Sequence, residues 1–285
     1  MKKNVTAAIM IAVCLMLFSG CASTGAGNSA GNAVTGTAEP ESDMQYIKDK
    51  GKMTVGYTVF EPMNYTDENG VFTGFDTEFA EAVCAKLGVE PDFVEINWDT
   101  KEVELEAKSI DCVWNGMTIT PGRLEQMSIS LPYLTNAQVI VVKKGSTVAS
   151  TADLPGKTVV AEVGSAGEMQ IIGGDDEPDE NLAKANYIAM AKQTDCLVEV
   201  KAGTADACVL DLTLAETMVG EGTDFSDLVI VGGVKLAQEE YGIAFRRGSD
   251  VTDIVNGIIR ELVSDGTLPA LADKYELLLA DAILS

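Results

Sequence analysis

A chain of 285 residues with 44 Asp plus Glu against 20 Lys plus Arg has a formal net charge of -24, which argues against nucleic acid and against electrostatic attachment to anionic lipid. It contains no histidine, which removes imidazole acid–base chemistry, the usual nucleophilic triads and the commonest transition-metal ligand. The length suits about two domains at the usual ~100 to 200 residues each.

The chain opens MKKNVTAAIMIAVCLMLFSG: Lys2 and Lys3, an apolar run from Val5 to Phe18, then small residues. This is the layout of a signal peptide over residues 1–20, too short to read as a membrane span. Cys21 follows, and LFSGC resembles the lipobox at which bacterial lipoproteins are cleaved and lipidated, with Phe18 where leucine is usual. Cys21 is therefore expected to carry a lipid that anchors the protein to the outer face of the cytoplasmic membrane. The glycine-rich, polar stretch through residue 43 has the composition of a flexible tether. Four cysteines remain beyond it, Cys84, Cys112, Cys196 and Cys208, each in an apolar segment. Their even number permits disulfides and their surroundings suit small buried thiols equally well, so no bridge is assigned. No C-x-x-C spacing occurs, and a zinc site has no support.

From about Gln45 onward, short apolar runs alternate with segments of helical period, the mark of α/β layers. MTVGY and DFVEIN read as strands around a helix, DTEFAEAVCAKLG, whose face is Phe79, Ala82, Val83 and Leu87 and whose stop is Gly88. A second helix, DTKEVELEAKS, leads into the strand IDCVW. Later strands are AQVIVVKK, KTVVAEV, YIAM, DACVLDL, LVIVGG and YGIAF. The last strong helix places Ile254, Val255, Ile258, Ile259, Leu262 and Val263 on one stripe and stops at Gly266. AKSIDCVWNGMTIT and AGTADACVLDLTLA echo each other, as two α/β lobes of related topology would. Ligands of open parallel sheets bind beyond the carboxyl ends of the strands, which would bring NGMTITPGR and LDLT toward one cleft.

Several enzyme and cofactor motifs fail on inspection. LPGKT ends like a phosphate-binding loop, but Thr151 stands where that loop requires its first glycine. EVGSAGE lacks the nucleophile-elbow spacing, and no histidine exists to activate Ser165. The acidic loop GGDDEPDEN lacks the alternating spacing of a calcium loop and reads as a solvated turn. No metal or cofactor is expected.

Taken in order, VGYTVFEPMNYTDENGVFTGFDTEFAEAVCAKLGV, WD, NGMTITPGR, LPYL, DLPGKTVVAEVGSAGE, ADACVLD, YGIAFRRG and SDGTLPALADKY resemble the extracellular solute-binding proteins of family 3, the receptors of polar amino acid ABC importers. The similarity covers nearly all of the chain after the tether. It implies a two-lobed α/β fold of the periplasmic-binding-protein-like type II class, closing like a flytrap on two crossover strands. Lobe 1 is then expected over residues 44–136 plus 236–285 and lobe 2 over 137–235. The crossovers would be AQVIVVKK and the approach to YGIAF. The implied partners are an amino acid ligand, the transmembrane subunits of an ABC permease and the membrane through the lipid. A monomer is expected.

The resemblance also implies a site. Arg123 would grip the ligand α-carboxylate, for which its planar fork of donors is suited. Gly116 would offer a carbonyl and a close backbone approach, and Thr118 a hydroxyl and an amide. Thr120 and Pro121 would shape the next helix start. Asp211 would receive the α-ammonium, although an aspartate there could also cap a helix. Gly164 and Ser165 would present amides to the carboxylate at a helix N-terminus, with Ala166 departing from the hydroxyl residue that many members have. Phe60 and Trp98 would sandwich the ligand. Asp76 falls where some binders of basic amino acids place a side-chain-recognising carboxylate, and could instead be a helix N-cap. Glu61 and Asp99 add acid beside the two aromatic walls, which tilts the expected ligand toward a polar or cationic amino acid. The rival readings are an enzyme on the same fold, like the cyclohexadienyl dehydratases, with an acid at Asp211 or Glu61; a binder of another small solute; and a sensor domain, disfavoured because no signalling segment follows Ser285.

Overall fold

The structure, a computed structural model, describes residues 42–284. The expected signal, most of the tether and the lipidation residue Cys21 lie outside the described residues. In chain order the first elements are α1 Asp43–Lys50, β1 Lys52–Tyr57, β2 Tyr65–Thr66, β3 Phe72–Thr73, α2 Phe75–Leu87, β4 Glu90–Glu95, α3 Lys101–Glu106, β5 Cys112–Thr118, α4 Pro121–Gln126, β6 Met127–Ile129 and β7 Leu134–Lys143. Then follow β8 Thr158–Glu162, α5 Ala166–Ile172, β9 Asn186–Met190, α6 Gln193–Ala202, β10 Ala207–Asp211, α7 Leu212–Met218 and β11 Leu228–Ile230. The chain closes with β12 Ala237–Arg246, α8 Val251–Ser264, α9 Thr267–Lys274 and α10 Asp281–Leu284.

One mixed sheet runs through the described residues in the order β4-β1-β5-β12-β7-β10-β8-β9, with β6 added on β12 and β11 on β7. Its two halves repeat a pattern. β1 lies parallel between β4 and β5, and β8 lies parallel between β9 and β10. β5 meets β12 antiparallel and β10 meets β7 antiparallel. The two halves are thus two lobes of like topology, joined where β7 and β12 pair from Leu134↔Tyr241 to Gln138↔Ala237. The sequence echo marks corresponding strands, because Cys112-Val113 opens β5 and Cys208-Val209 lies in β10.

Burial explains why these runs became strands. All seven residues of β5 are buried, as expected of a central strand covered on both faces. One core cluster lies along one side of both halves and includes Phe79, Val83 and Val255 as well as Val160, Cys196 and Leu210. Two smaller clusters lie apart from it, around Ile140, Val159 and Val209 in one lobe and around Leu105, Val113 and Met117 in the other. Each lobe sets a helix cysteine near a strand cysteine, Cys84 with Cys112 and Cys196 with Cys208. All four thiols are free and buried, and burial holds each well above the ordinary thiol range, so they pack as small hydrophobes.

Two expected elements change shape. The second helix begins only at Lys101, because Trp98–Thr100 form a separate tight turn in which Asn97 Oδ1 accepts the Asp99 amide at 3.1 Å. On α8, Val255, Ile259 and Leu262 are buried as the stripe requires, while Ile254 is left at the edge, 39% exposed.

A buried ionic knot ties α1 and β12 to the start of β5. Asp111, 1% exposed, accepts the Thr54 amide at 2.7 Å and pairs with Lys50 Nζ at 2.5 Å and Arg246 Nη2 at 3.5 Å. Arg246 also meets Asp43 at 3.0 Å and donates to the Ile110 carbonyl at 2.8 Å. Removing Asp111 leaves the buried Thr54 amide without its acceptor and takes the carboxylate from Lys50 and one of two from Arg246, so Asp111→Ala should lower unfolding stability by about 3 kcal/mol in urea titration. A loss under about 1 kcal/mol would show that the knot is dispensable.

Candidate functional site

The junction of the two lobes holds a small enclosed space lined by Phe60, Trp98, Asn115, Gly116, Thr118 and Arg123 from one lobe and Glu162, Ser165, Ala166, Gln193 and Asp211 from the other. It measures about 10 Å³, close to the ~10 to 15 Å³ that one water requires, so a larger guest needs the lobes to part. β5 and β10 end there, as strand ends do at ligand clefts of open sheets.

Arg123 is positioned by its own helix start. Thr120 caps α4, its hydroxyl accepting the Arg123 amide at 3.2 Å, and Pro121 occupies the first turn, where its missing N–H costs nothing. The guanidinium then spans the junction: Nη1 donates to the Thr118 carbonyl at 2.6 Å and Nη2 to the Gly164 carbonyl of the other lobe at 3.0 Å. Nε is buried and has no hydrogen-bond partner among the described residues. Burial lowers the basicity of this arginine, opposed by the acidic field of Glu102, Glu239, Asp211 and Asp175. Trp98 faces it, with the guanidinium carbon 6.0 Å from the ring centroid.

Gly116 sits at φ +56, and a Cβ there would lie 2.8 Å from Phe60 Cε1 and 3.1 Å from Tyr241 Cε2. Only glycine therefore lets β5 end in this conformation between two rings. Asn115 beside it is fixed by Thr58, whose amide and hydroxyl donate to its Oδ1 at 3.1 and 2.7 Å, and by Asn64, which accepts from its Nδ2 at 2.7 Å.

On the facing lobe Asp211 ends β10 and precedes α7 without making a side-chain cap bond. Its Oδ1 accepts from Asn136 Nδ2 at 2.6 Å, Gln138 Nε2 at 2.9 Å and the Tyr241 hydroxyl at 2.8 Å, and its Oδ2 accepts from Gln193 Nε2. The same two amides of β7 also donate to Glu239 on β12, at 2.5 and 2.8 Å. Glu239 is part-exposed as a residue but turns its carboxyl inward. Burial, and then the Asp211 charge, push that carboxyl up to about 8; burial raises Asp211 as well. Ser165 caps α5, its hydroxyl accepting the Glu168 amide at 3.1 Å, and Ala166 follows it into the lining.

Of the residues singled out in the sequence, Phe60, Trp98, Gly116, Thr118, Arg123, Ser165 and Asp211 meet around this one space. Two do not. Glu61 opens into a separate groove with Tyr65, Asp67 and Phe225. Asp76 is neither an N-cap nor a wall. Gly74 precedes α2, and Asp76 lies wholly buried behind Gly116, whose amide donates to its Oδ2 at 2.6 Å beside the Tyr133 hydroxyl at 2.9 Å. Burial pushes its carboxyl up to about 7. Asp99 also falls outside the lining, beside Lys101 and Gly164. The sequence reading missed Asn115, Glu162 and Gln193, and it missed Lys101, which is buried and donates to the Trp98 carbonyl at 3.1 Å and the Gly164 carbonyl at 3.3 Å.

The sequence pattern of the bacterial extracellular solute-binding proteins, family 3, matches residues 53–277. The chain belongs to this family. It is 30% identical to the L-cystine-binding protein TcyJ of Escherichia coli over 86% of this chain and 90% of that one. Among solved structures it is similar to the arginine-bound form of ArgBP from T. maritima, with 37% identity and a TM-score of 0.69 over 76% of this chain and 99% of that chain. It is also similar to an ABC uptake transporter substrate binding protein from Streptococcus pneumoniae with bound histidine, 26% identical with a TM-score of 0.70 over 82% and 95% of the two chains. All three are binding proteins rather than enzymes. In this family member the fold is the two-lobed α/β flytrap with β7 and β12 as its crossovers, and the protein class is extracellular or periplasmic. Among the described residues no helix is long and apolar enough to cross a membrane.

The buried carboxyls give a signed expectation for pH. Asp76, Glu162 and Glu239 hold protons more tightly folded than unfolded, so the stability they add is complete below the unfolded carboxylate range near ~4. It is lost as pH rises toward about 7 for Asp76 and about 8 for the two glutamates. The melting temperature of the protein alone should fall between pH 5.5 and 8, and Asp76→Asn should flatten part of that fall. A melting temperature that holds or rises over this range would contradict protonated buried carboxyls.

Proposed function

We propose that this protein is the substrate-binding receptor of an ABC importer, capturing a polar amino acid between its lobes and delivering it to the membrane permease. The observation that carries the reading is Arg123, desolvated at the lobe junction with a buried Nε that no protein group satisfies, opposite the buried carboxylate of Asp211. A ligand α-carboxylate would supply the first with a charge-assisted partner, and an α-ammonium would meet the second at Oδ2. Phe60 and Trp98 then act as flat walls, Gly116 and Thr118 as close backbone contacts, and Ser165 as the donor facing the departure at Ala166. The named relatives, binding proteins for cystine, arginine and histidine, support an amino acid as the guest.

The lobes are assigned to residues 44–136 plus 236–285 and 137–235, boundaries supported by β7 and β12, which pass from one half of the sheet to the other. The signal over residues 1–20, cleavage before Cys21 and lipidation there would hold a monomeric receptor at the outer face of the membrane, on the tether of residues 21–43.

A thermal-shift screen of the twenty amino acids plus cystine and ornithine should find at least one that raises the melting temperature, because a ligand specific for the native state stabilises it. With that ligand, Arg123→Ala should lose about 3 to 5 kcal/mol of binding, several hundred-fold or more in affinity. Asp211→Asn should weaken it in the same direction. An Arg123→Ala affinity within about threefold of wild type would remove the arginine from the site, and a screen with no response would remove amino acids as the guests.

A further inference from the structure

Glu162 closes β8 at the edge of the lobe junction, only 3% exposed, and its side chain lines the enclosed space together with Arg123, Gln193 and Asp211. Its Oε1 is buried and accepts no hydrogen bond from the described residues. The contrast with Asp211 is direct. Asp211 already receives four side-chain donors, from Asn136, Gln138, Tyr241 and Gln193. A carboxylate has room for about four acceptor contacts, and leaving one oxygen without any inside a dry site costs more than the contact itself would gain.

Charge counting points the same way. The lining carries Arg123 on one side and both Glu162 and Asp211 on the other. An amino acid head group is one carboxylate and one ammonium; it pairs Arg123 and Asp211 and leaves Glu162 over. The groups that face Glu162 are Asp211 from β10, Asp195 from α6, Lys101 from α3 and Arg123 from α4, two acids and two bases. Neither base is bonded to it: Lys101 Nζ is held by the Trp98 and Gly164 carbonyls and by Glu102 at 3.2 Å, while Arg123 gives Nη1 and Nη2 to the Thr118 and Gly164 carbonyls and keeps Nε for the ligand carboxylate of the reading above. The acids that first suggested a cationic ligand, Glu61, Asp76 and Asp99, do not line the space, whereas Glu162 does.

We propose that Glu162 is a specificity-determining residue that receives a second, cationic nitrogen of the ligand, so that the receptor selects amino acids with a positively charged side chain over neutral ones of the same shape. This rests on the amino acid reading above and adds the substrate class. A cation entering beside Glu162 favours its ionised form, which burial otherwise disfavours by pushing the carboxyl up to about 8. Binding then expels a proton, and affinity for a cationic ligand climbs with pH below 8, approaching tenfold per unit where the proton loss is complete.

The test is calorimetric titration of the wild type and of Glu162→Gln with L-arginine, L-lysine and L-ornithine against the neutral L-citrulline and L-glutamine. Wild type should prefer at least one cationic ligand to its neutral counterpart by tenfold or more. Glu162→Gln should reduce that preference by tenfold or more, the cationic ligand losing more affinity than the neutral one. For wild type alone, affinity for the preferred cation should rise from pH 6 to pH 8, with proton release seen in buffers of different ionisation heat; the variant should release fewer protons. Equal affinity of wild type for cationic and neutral ligands, or an unchanged preference in the variant, would overturn the proposal and leave the amino acid receptor standing. Binding of none of these, nor of any amino acid in the wider screen, would overturn both. Should the variant fail to fold, absence of proton release by the wild type would by itself refute the role of Glu162.

Discussion

The structure depends on a guanidinium buried at a seam. Arg123 is only 5% exposed, and two of its nitrogens are satisfied by carbonyls from opposite lobes. Desolvating a guanidinium is costly, and carbonyl oxygens offset that cost only in part because they bring dipoles and no countercharge. The neighbouring sequence serves this one placement. Thr120 and Pro121 fix where α4 starts, Gly116 allows the strand before it to end between two rings, and Trp98 lays a face across the guanidinium. A carboxylate arriving from outside would provide both the missing acceptor at Nε and the missing charge.

The opposite side of the seam is wired into the hinge. Asn136 and Gln138 stand on β7, Glu239 on β12, and Asp211 at the end of β10; two amides are shared between the two carboxyls. The crossover strands therefore do more than connect the lobes. Any ligand ammonium that changes the charge on Asp211 also changes how tightly these amides hold Glu239, and so alters hydrogen bonds inside the elements that bend on closure. Burial raises both carboxyls; the Asp211 charge raises Glu239 further, whereas the contact with Glu239 lowers Asp211, so the pair is held with less than a full charge on each.

What the sequence made legible follows from how each signal arises. Strands such as β5 and β8 show because burial on both faces demands an unbroken apolar run, and α8 shows because one of its faces does. The internal echo also proved physical: it marks the corresponding strands β5 and β10 of two like half-sheets. Ordered motifs brought seven residues to one space. Glu61 and Asp76 escaped that logic because neighbours in sequence point to opposite sides of a backbone. Glu61 follows the wall residue Phe60 yet faces another groove, and Asp76 supports Gly116 from behind. Glu162 and Gln193 gave no signal, since an acid at the end of an apolar strand and an amide at a helix start are ordinary in isolation. Only the packing of one lobe on the other turns them inward.

That packing is also what gives the charges their meaning. Across the seam, the carbonyl of Gly164 takes hydrogen bonds from both Arg123 and Lys101, and Lys192 pairs with Glu95 at 2.5 Å near the rim. The rim pair is solvated and contributes little. The inner contacts surround a space of about 10 Å³, little more than the room of one water, where two acids lie opposite a buried arginine. A chain of formal charge -24 spreads most of its acid over solvated surface, where it is screened. Glu162 and Asp211 are the two acids that line the space between the lobes, where a counter-charge is screened less than at a surface carboxylate. Overall acidity therefore says little about the guest, because screened surface carboxylates do not reach the space between the lobes.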